Sequence, residues 1–241
     1  MIGYSRTTLM SNPNNIHKIS DILSKVSYFA GLDIVMLETI AQSAVRRDFD
    51  AGQIVFLEGE PCTGLYIVQE GWLKGVKSSL SGREQVLRFL GPGETFSEIS
   101  VLAVTSNNPV TVIALEPSSV LIIPRDMMLQ LLDDHASLAR IIIQNLTGRV
   151  IHLISLIEDL SLRSVKARLA RVLLENASEG VLHRQRWATQ SEMAARLGTV
   201  PDVLSRVLRS LVEEGIIQIE RHEIRILDQK KLEDKAIDAK E

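Results

Sequence analysis

The chain is poor in cysteine and in aromatic residues. Cys62 is the single cysteine among 241 residues, which excludes an internal disulfide framework, a cysteine-rich zinc site and a four-cysteine iron–sulfur site within one chain. No uninterrupted apolar run approaches the roughly 18 residues that a membrane-spanning helix needs. The polar N-terminal segment 1–15 lacks the apolar stretch of a signal peptide. We therefore expect a cytoplasmic protein with no membrane partner.

Motifs of catalysis are also missing. The sequence has no Gly-x-Ser-x-Gly elbow, no His-Glu-x-x-His and no glycine-rich phosphate loop ending in Lys-Ser or Lys-Thr. Its five histidines are scattered and form no evident acid–base pair or metal site. These absences predict that the protein is not an enzyme and holds no metal ion.

Charge is unevenly distributed along the chain. The net charge is −3, but residues 161–228 carry 11 Lys and Arg against 9 Asp and Glu, whereas residues 1–160 carry 12 against 17. A mildly basic C-terminal segment on an acidic body suits a protein that binds DNA.

The middle of the chain has the texture of a β-protein. Residues 1–15 are short and polar and predict a flexible N-terminus. Two helical patterns follow, and from Phe49 to about Ile123 short β-branched runs alternate with glycine turns. Such spacing is typical of a sandwich, barrel or roll. We predict an α+β protein with a sensor β-roll over 16–125.

A long helix is predicted over 126–160. Apolar residues recur there in steps of four and three, and the predicted seam comprises Ile143, Leu146, Val150, Leu153 and Ile157. Seams of this kind pair with another helix, here the same helix of a second subunit in a homodimer. The alternative is a helix packed on its own domain.

Residues 161–228 predict a winged helix-turn-helix, followed by a tail over 229–241. Thr189 and Glu192 form a capping box, Gly198 ends the first helix, and Pro201 opens the second. The second helix of this motif enters the major groove of duplex DNA, where arginine pairs with guanine or with phosphate. The candidate DNA-binding residues are Thr189, Gln190, Thr199, Pro201, Asp202, Ser205, Arg206 and Arg209. The alternative is a solvated polar face.

Three segments together carry a family resemblance: Phe56 to Gly71, Leu90 to Glu98, and Gln190 to Leu208. In their order and spacing the chain resembles the Crp/Fnr superfamily of bacterial regulators over roughly residues 16–230. The resemblance implies a homodimer that binds a pseudo-palindromic operator, an effector that shifts the dimer helices, and contact with RNA polymerase. Asp202 stands where the family's recognition helix often has Glu, which leaves the preferred half-site open.

The resemblance also locates an effector pocket, formed by Phe96, Ser97, Glu98, Ile99, Asn108, Pro109 and Val110. Cyclic-nucleotide binders of this family neutralise the phosphate with an arginine and a neighbouring hydroxyl, and a glutamate takes the ribose hydroxyl. Glu98 matches that glutamate, but Asn108 and Pro109 replace the arginine and the hydroxyl. Burying a phosphate without a cation costs several kcal/mol. We therefore predict weak or absent cyclic AMP binding and a different, unknown effector.

Two alternatives stay open. The first is a haem-dependent sensor of nitric oxide or carbon monoxide, for which the available ligand types are His17, Cys62, His135 and His152. The second is a cyclic-nucleotide-binding signalling module without a DNA function. An iron–sulfur cluster is not expected, because residues 1–30 contain no cysteine.

Overall fold

A computed structural model describes residues 6–9 and 13–237. In chain order the elements are β1 (Arg6–Leu9), α1 (Pro13–Lys25), α2 (Ile34–Ser43), β2 (Val45–Phe49), β3 (Ile54–Phe56), β4 (Gly64–Glu70), β5 (Leu73–Ser78), β6 (Glu84–Leu90), β7 (Thr95–Phe96), α3 (Glu98–Leu102), β8 (Thr111–Ala114), β9 (Ser118–Pro124), α4 (Arg125–Asp134), α5 (Ala136–Leu162), α6 (Val165–Asn176), β10 (Val181–His183), α7 (Gln190–Arg196), α8 (Pro201–Glu213), β11 (Ile217–Ile219), β12 (Glu223–Ile226) and α9 (Gln229–Ala236). These residues form two compact units, Met1–Lys77 with Leu87–Arg149, and Ser78–Val86 with Val150–Glu241.

Two sheets form the β-roll. The five-stranded sheet has the order β1-β2-β9-β4-β7 and the four-stranded sheet the order β3-β8-β5-β6. Alternate residues of β4 face opposite sides, as strand geometry requires. Tyr66 and Val68 therefore join a core shared by both sheets, whereas Leu65 and Ile67 join a second core. Because both faces of β4 are covered, this strand is a nearly continuous apolar run.

Helices cover the outer face of the five-stranded sheet. The second core is completed by α1, α2, α4 and the first turns of α5, including Phe29, Leu131 and Ile142, all buried. Asp33 caps α2, since its Oδ1 accepts a hydrogen bond from the Met36 amide at 2.8 Å. The sensor unit is thus a β-roll with a helical layer on one side.

The second unit has its own core. Helices α6, α7, α8 and α9 bury residues such as Leu169, Leu204 and Leu232 together with strand residues Ile217 and Ile224. Strands β11 and β12 form the predicted wing hairpin, and β10 pairs with β12 as a third strand that the sequence did not indicate.

Several predicted boundaries need correction. Arg6–Leu9 forms β1 paired with β2, and α1 begins at Pro13, so the predicted flexible segment 1–15 is wrong for these residues; the rest of it lies outside the described residues. The tail predicted from 229 contains α9, which belongs to the second unit because Leu232 and Ala236 are buried in its core.

The predicted single helix over 126–160 is two helices. Helix α4 ends at His135, and α5 continues to Leu162. The sensor unit reaches Arg149 instead of 125, because Met128, Leu138 and Ile142 on these helices are buried in the sensor core.

By length and composition alone, α5 is the one helix in the described residues that could cross a membrane. A single helix of this kind is weak evidence for a span, because other helices of water-exposed proteins pass the same test. Arg149 lies near its middle and is ion-paired with Glu98. A charged residue at that depth is costly in lipid.

Candidate nucleic-acid interface and effector site

Helices α7 and α8 form the predicted helix-turn-helix. Thr189 caps α7, because its Oγ1 accepts a hydrogen bond from the Glu192 amide at 3.2 Å. Gly198 then takes a positive φ of +64°, which favours glycine and ends the helix. Pro201 starts α8, where its missing N–H leaves no hydrogen bond unmade.

The outer face of α8 is polar and cationic. Asp202, Arg206 and Arg209 are exposed and share one face because they lie four and seven residues apart. The opposite face buries Leu204 and Leu208. Among the described residues neither guanidinium pairs with a carboxylate; Arg206 Nε donates only to the Asp202 carbonyl at 3.4 Å. Both groups therefore retain donors for a phosphate or a base edge.

The remaining candidates lie around the start of α8. Ser205 Oγ donates to Gln190 Oε1 at 3.2 Å and so links α8 to α7. Thr189 and Pro201 are exposed, but Thr199 is only 8% exposed. The side chain of Thr199 is therefore not presented for DNA contact, which corrects its assignment; it sits in the tight turn between the two helices.

Two exposed cations of this unit were not among the candidates. Arg221 lies in the turn between β11 and β12, and Arg186 precedes α7. A cation at the tip of a predicted wing hairpin is the signal that identifies Arg221, since wing tips lie beside the phosphate backbone in this class of motif.

The predicted effector residues fall into three environments. Phe96 belongs to the β-roll core, with its ring stacked on Tyr66 at a centroid distance of 4.9 Å. Ile99 and Pro109 are exposed and Val110 packs against the same core. Only Ser97, Glu98 and Asn108 supply polar groups to one place.

Ser97 and Asn108 meet at the base of the loop that precedes α3. Ser97 has a φ of +77°, a left-handed conformation that costs a non-glycine residue of order 1 kcal/mol. Its Oγ donates to Asn108 Oδ1 at 3.4 Å and lies 3.5 Å from Cys62 Sγ. Asn108 is 2% exposed. The position is polar but uncharged.

Glu98 is the centre of a buried hydrogen-bond network. Arg149 Nη1 donates to its Oε2, and Arg149 Nη2 donates to its Oε1 at 2.6 Å. Thr95 Oγ1 and Tyr28 OH donate to the same Oε1 at 2.6 and 3.0 Å. The carboxylate is 1% exposed, yet four hydrogen bonds satisfy it.

The pKa values of this network follow from burial and charge. Burial alone would raise the pKa of Glu98, but the Arg149 guanidinium outweighs it and holds that pKa below its ordinary value. Burial, with the Glu98 charge, raises the pKa of Tyr28 to about 12. Glu98 is therefore ionised and Tyr28 remains a hydrogen-bond donor at neutral pH.

Cations near the Asn108 loop are committed elsewhere. Arg149 is paired with Glu98. Lys77 Nζ donates to the Pro109 carbonyl at 3.1 Å, but it is half exposed and paired with Glu58 at 2.5 Å. A buried anion at Asn108 would find no matching arginine.

The predicted dimer seam is only partly on the exposed face of α5. Ile143, Val150 and Ile157 are more than half exposed, and so is Ile154, which was not in the seam. Leu146 instead packs against the sensor core, and Leu153 is less exposed, at 38%. The exposed apolar stripe is thus rotated slightly from the predicted one.

The four residues considered as haem ligands are placed separately. His17 pairs with Glu38 through Nδ1 at 3.2 Å, His135 caps α4, and His152 is exposed on α5. Cys62 Sγ donates to the Gly64 carbonyl at 3.5 Å. In the part of the chain that the structure describes, no group of three or more His, Cys, Asp or Glu side chains is arranged to hold a metal ion.

Comparison with known proteins identifies both units. A cyclic nucleotide-binding domain model matches residues 46–135, and a Crp-like helix-turn-helix domain model matches residues 167–235. The chain therefore has the architecture of a cyclic-nucleotide-binding-like sensor joined to a DNA-binding module. The chain belongs to the Crp/Fnr family of transcription regulators, which are not enzymes.

Individual relatives agree with this placement. The chain is 30% identical over 176 residues to the cyclic AMP receptor protein of Thermus thermophilus, covering 72% of this chain and 80% of that protein. It is 25% identical over 222 residues to the CRP-like cAMP-activated global transcriptional regulator of Mycobacterium tuberculosis, covering 89% and 98%. A solved transcriptional regulator of the same family from Thermus thermophilus superimposes with a TM-score of 0.60 at 27% identity, covering 79% and 97%.

Proposed function

We propose that the chain is a homodimeric, cytoplasmic regulator that binds a pseudo-palindromic operator through α8. The observation that carries the proposal is the pair of exposed, carboxylate-free guanidinium groups of Arg206 and Arg209 on the outer face of a helix whose inner face is buried. Bidentate arginine contacts to guanine O6 and N7 are the commonest specific base contacts in the major groove. Contact with RNA polymerase stays a prediction from the family.

Dimerisation through α5 follows from its exposed apolar stripe, defined by Ile143, Val150, Ile154 and Ile157. Apolar residues on an exposed helix face gain free energy when a second helix covers them, at about 25 cal/mol per Å². A two-fold dimer presents two copies of α8, and operators of this class place half-sites about 34 Å apart.

The test uses duplexes selected from a random library with the purified full-length protein. Arg206→Ala should weaken binding to the selected duplex by about 1–3 kcal/mol at fixed salt if Arg206 contacts a base. Arg140→Ala, an exposed arginine on α5, is the matched control and should change nothing. Unchanged binding by Arg206→Ala would reject this face as the reading surface.

The proposed effector is not cyclic AMP, although the two relatives named above carry cyclic AMP in their names. Asn108 supplies no positive charge, Pro109 supplies no hydroxyl, and the one buried arginine beside Glu98 is paired. An anionic phosphate placed there lacks a counter-ion, at a cost of several kcal/mol. Calorimetric titration should show no cyclic AMP binding in the micromolar range; micromolar or tighter binding would contradict the proposal.

A further inference from the structure

The Glu98 carboxylate has no free acceptor. A carboxylate offers about four lone-pair sites, and two donors from Arg149, one from Thr95 and one from Tyr28 fill them. A ligand hydroxyl could bind Glu98 only by displacing one of these protein donors. Three of them approach Glu98 at 3.0 Å or less in a buried setting, where such bonds are strong.

The same network ties α5 to the β-roll within the sensor unit. Thr95 comes from β7, Glu98 from α3, Tyr28 from the segment after α1, and Arg149 from the middle of α5. Arg149 Nη2 also donates to the Thr95 carbonyl at 2.9 Å. Arg149 is the last residue of the sensor unit, and Val150 is the first α5 residue of the other. Protein groups alone thus anchor α5 at this point.

We infer that Arg149 is a positioning residue that holds α5 on the sensor unit without a ligand, so that DNA binding does not require a small-molecule effector. This inference rests on the proposed function. A ligand shifts an equilibrium only by its differential affinity for the two states. Where an internal ion pair already anchors the helix, a ligand at the same place has little left to stabilise. Any molecule that the sensor binds then modulates a binding activity that is already present.

The first experiment measures ligand dependence. The full-length protein is unfolded in urea, dialysed, refolded and checked by native mass spectrometry for the mass of the chain alone. Its affinity for the selected duplex is measured by fluorescence anisotropy at fixed salt. Probes are 1 mM cyclic AMP and a small-molecule extract of the producing cells. We expect affinity within about threefold of the untreated protein, with or without either probe.

Two results separate the inference from the function on which it rests. If duplex binding falls more than tenfold after stripping and returns with the extract, the inference is wrong and the proposed function stands. If no duplex is bound with salt-sensitive affinity even with the extract, the proposed function fails.

Variants then test Arg149 itself. Arg149→Met should weaken duplex binding at least tenfold at a temperature well below its unfolding transition, and Arg149→Lys should lose less. Arg140→Met, the matched control on the same helix, should bind normally. The double variant with Glu98→Gln and Arg149→Met leaves no unpaired buried charge; it should fold and still bind weakly. Normal binding by the folded double variant would show that the network only stabilises the fold, which would overturn the inference.

Discussion

Replacing Arg149 with Met should destabilise the sensor unit in a strongly pH-dependent way. The change leaves the Glu98 carboxylate, 1% exposed, with only Thr95 and Tyr28 as donors. Removing one partner of a buried pair costs about 3–5 kcal/mol. We expect the lower value, about 3 kcal/mol at pH 7, because two donors remain and the Arg149 side chain is 23% exposed.

The pH dependence has a definite sign. In the parent protein the pKa of folded Glu98 lies below its ordinary value, so its stabilisation is complete above the unfolded pKa and is lost as pH falls through the folded pKa. Without Arg149, burial raises the pKa of Glu98 above the unfolded value, and protonation on acidification then relieves the variant. The difference in unfolding free energy should therefore shrink from about 3 kcal/mol at pH 7 to about 1 kcal/mol near pH 4.

The assay is urea unfolding followed by tryptophan fluorescence. The chain has two tryptophans, and a Trp187→Phe background leaves Trp72, in the sensor unit, as the reporter. Arg140→Met should stay within about 0.5 kcal/mol of the parent. A loss below about 1 kcal/mol at pH 7, or a loss that does not change with pH, would refute the reasoning that Arg149 compensates a buried charge.

Three further predictions address the other surfaces. Arg209→Ala should reduce the slope of log affinity against log salt by about 1 if Arg209 contacts phosphate; an unchanged slope in anisotropy titrations would contradict this. Ile154→Glu should shift the protein toward monomer in sedimentation velocity, because a charge would be buried in the stripe, whereas Gln144→Glu, exposed off the stripe, should not. Leu169→Ala, at a fully buried position, should cost about 2–5 kcal/mol in the second unit, measured through Trp187 fluorescence; a loss under about 1 kcal/mol would mean that this site repacks.

Local signals predicted the DNA-binding module well. Thr189, Gly198 and Pro201 act through the backbone of their own turns, and such effects can be read from a few neighbouring residues. Thr199 shows the limit of this approach. Its residue type suits a phosphate contact, but its burial depends on how α7 and α8 close over the turn.

Long-range partners could not be predicted in the same way. Glu98 and Arg149 are 51 residues apart, and Arg149 stood out only as a polar residue beside an apolar seam. The phase of the α5 stripe has the same origin. Leu146 fits the heptad pattern, but the sensor core claims it, because one helix must satisfy two apolar neighbours with a single periodicity. The two-residue strand β7 is likewise held by pairing with β4, not by its own composition.

Retention of Glu98 therefore has a physical reason that is independent of a ligand. A buried carboxylate needs charge compensation whether or not a nucleotide is present. In this chain the compensation comes from α5 through Arg149, and the hydrogen bonds to Thr95 and Tyr28 complete it. The residue that distinguishes a cyclic-nucleotide binder from this protein is thus the missing cation at Asn108, since the glutamate can be kept for the fold alone. In sequences of this architecture, a glutamate at this position accompanied by an arginine facing it from the long helix indicates an internal anchor rather than a nucleotide site.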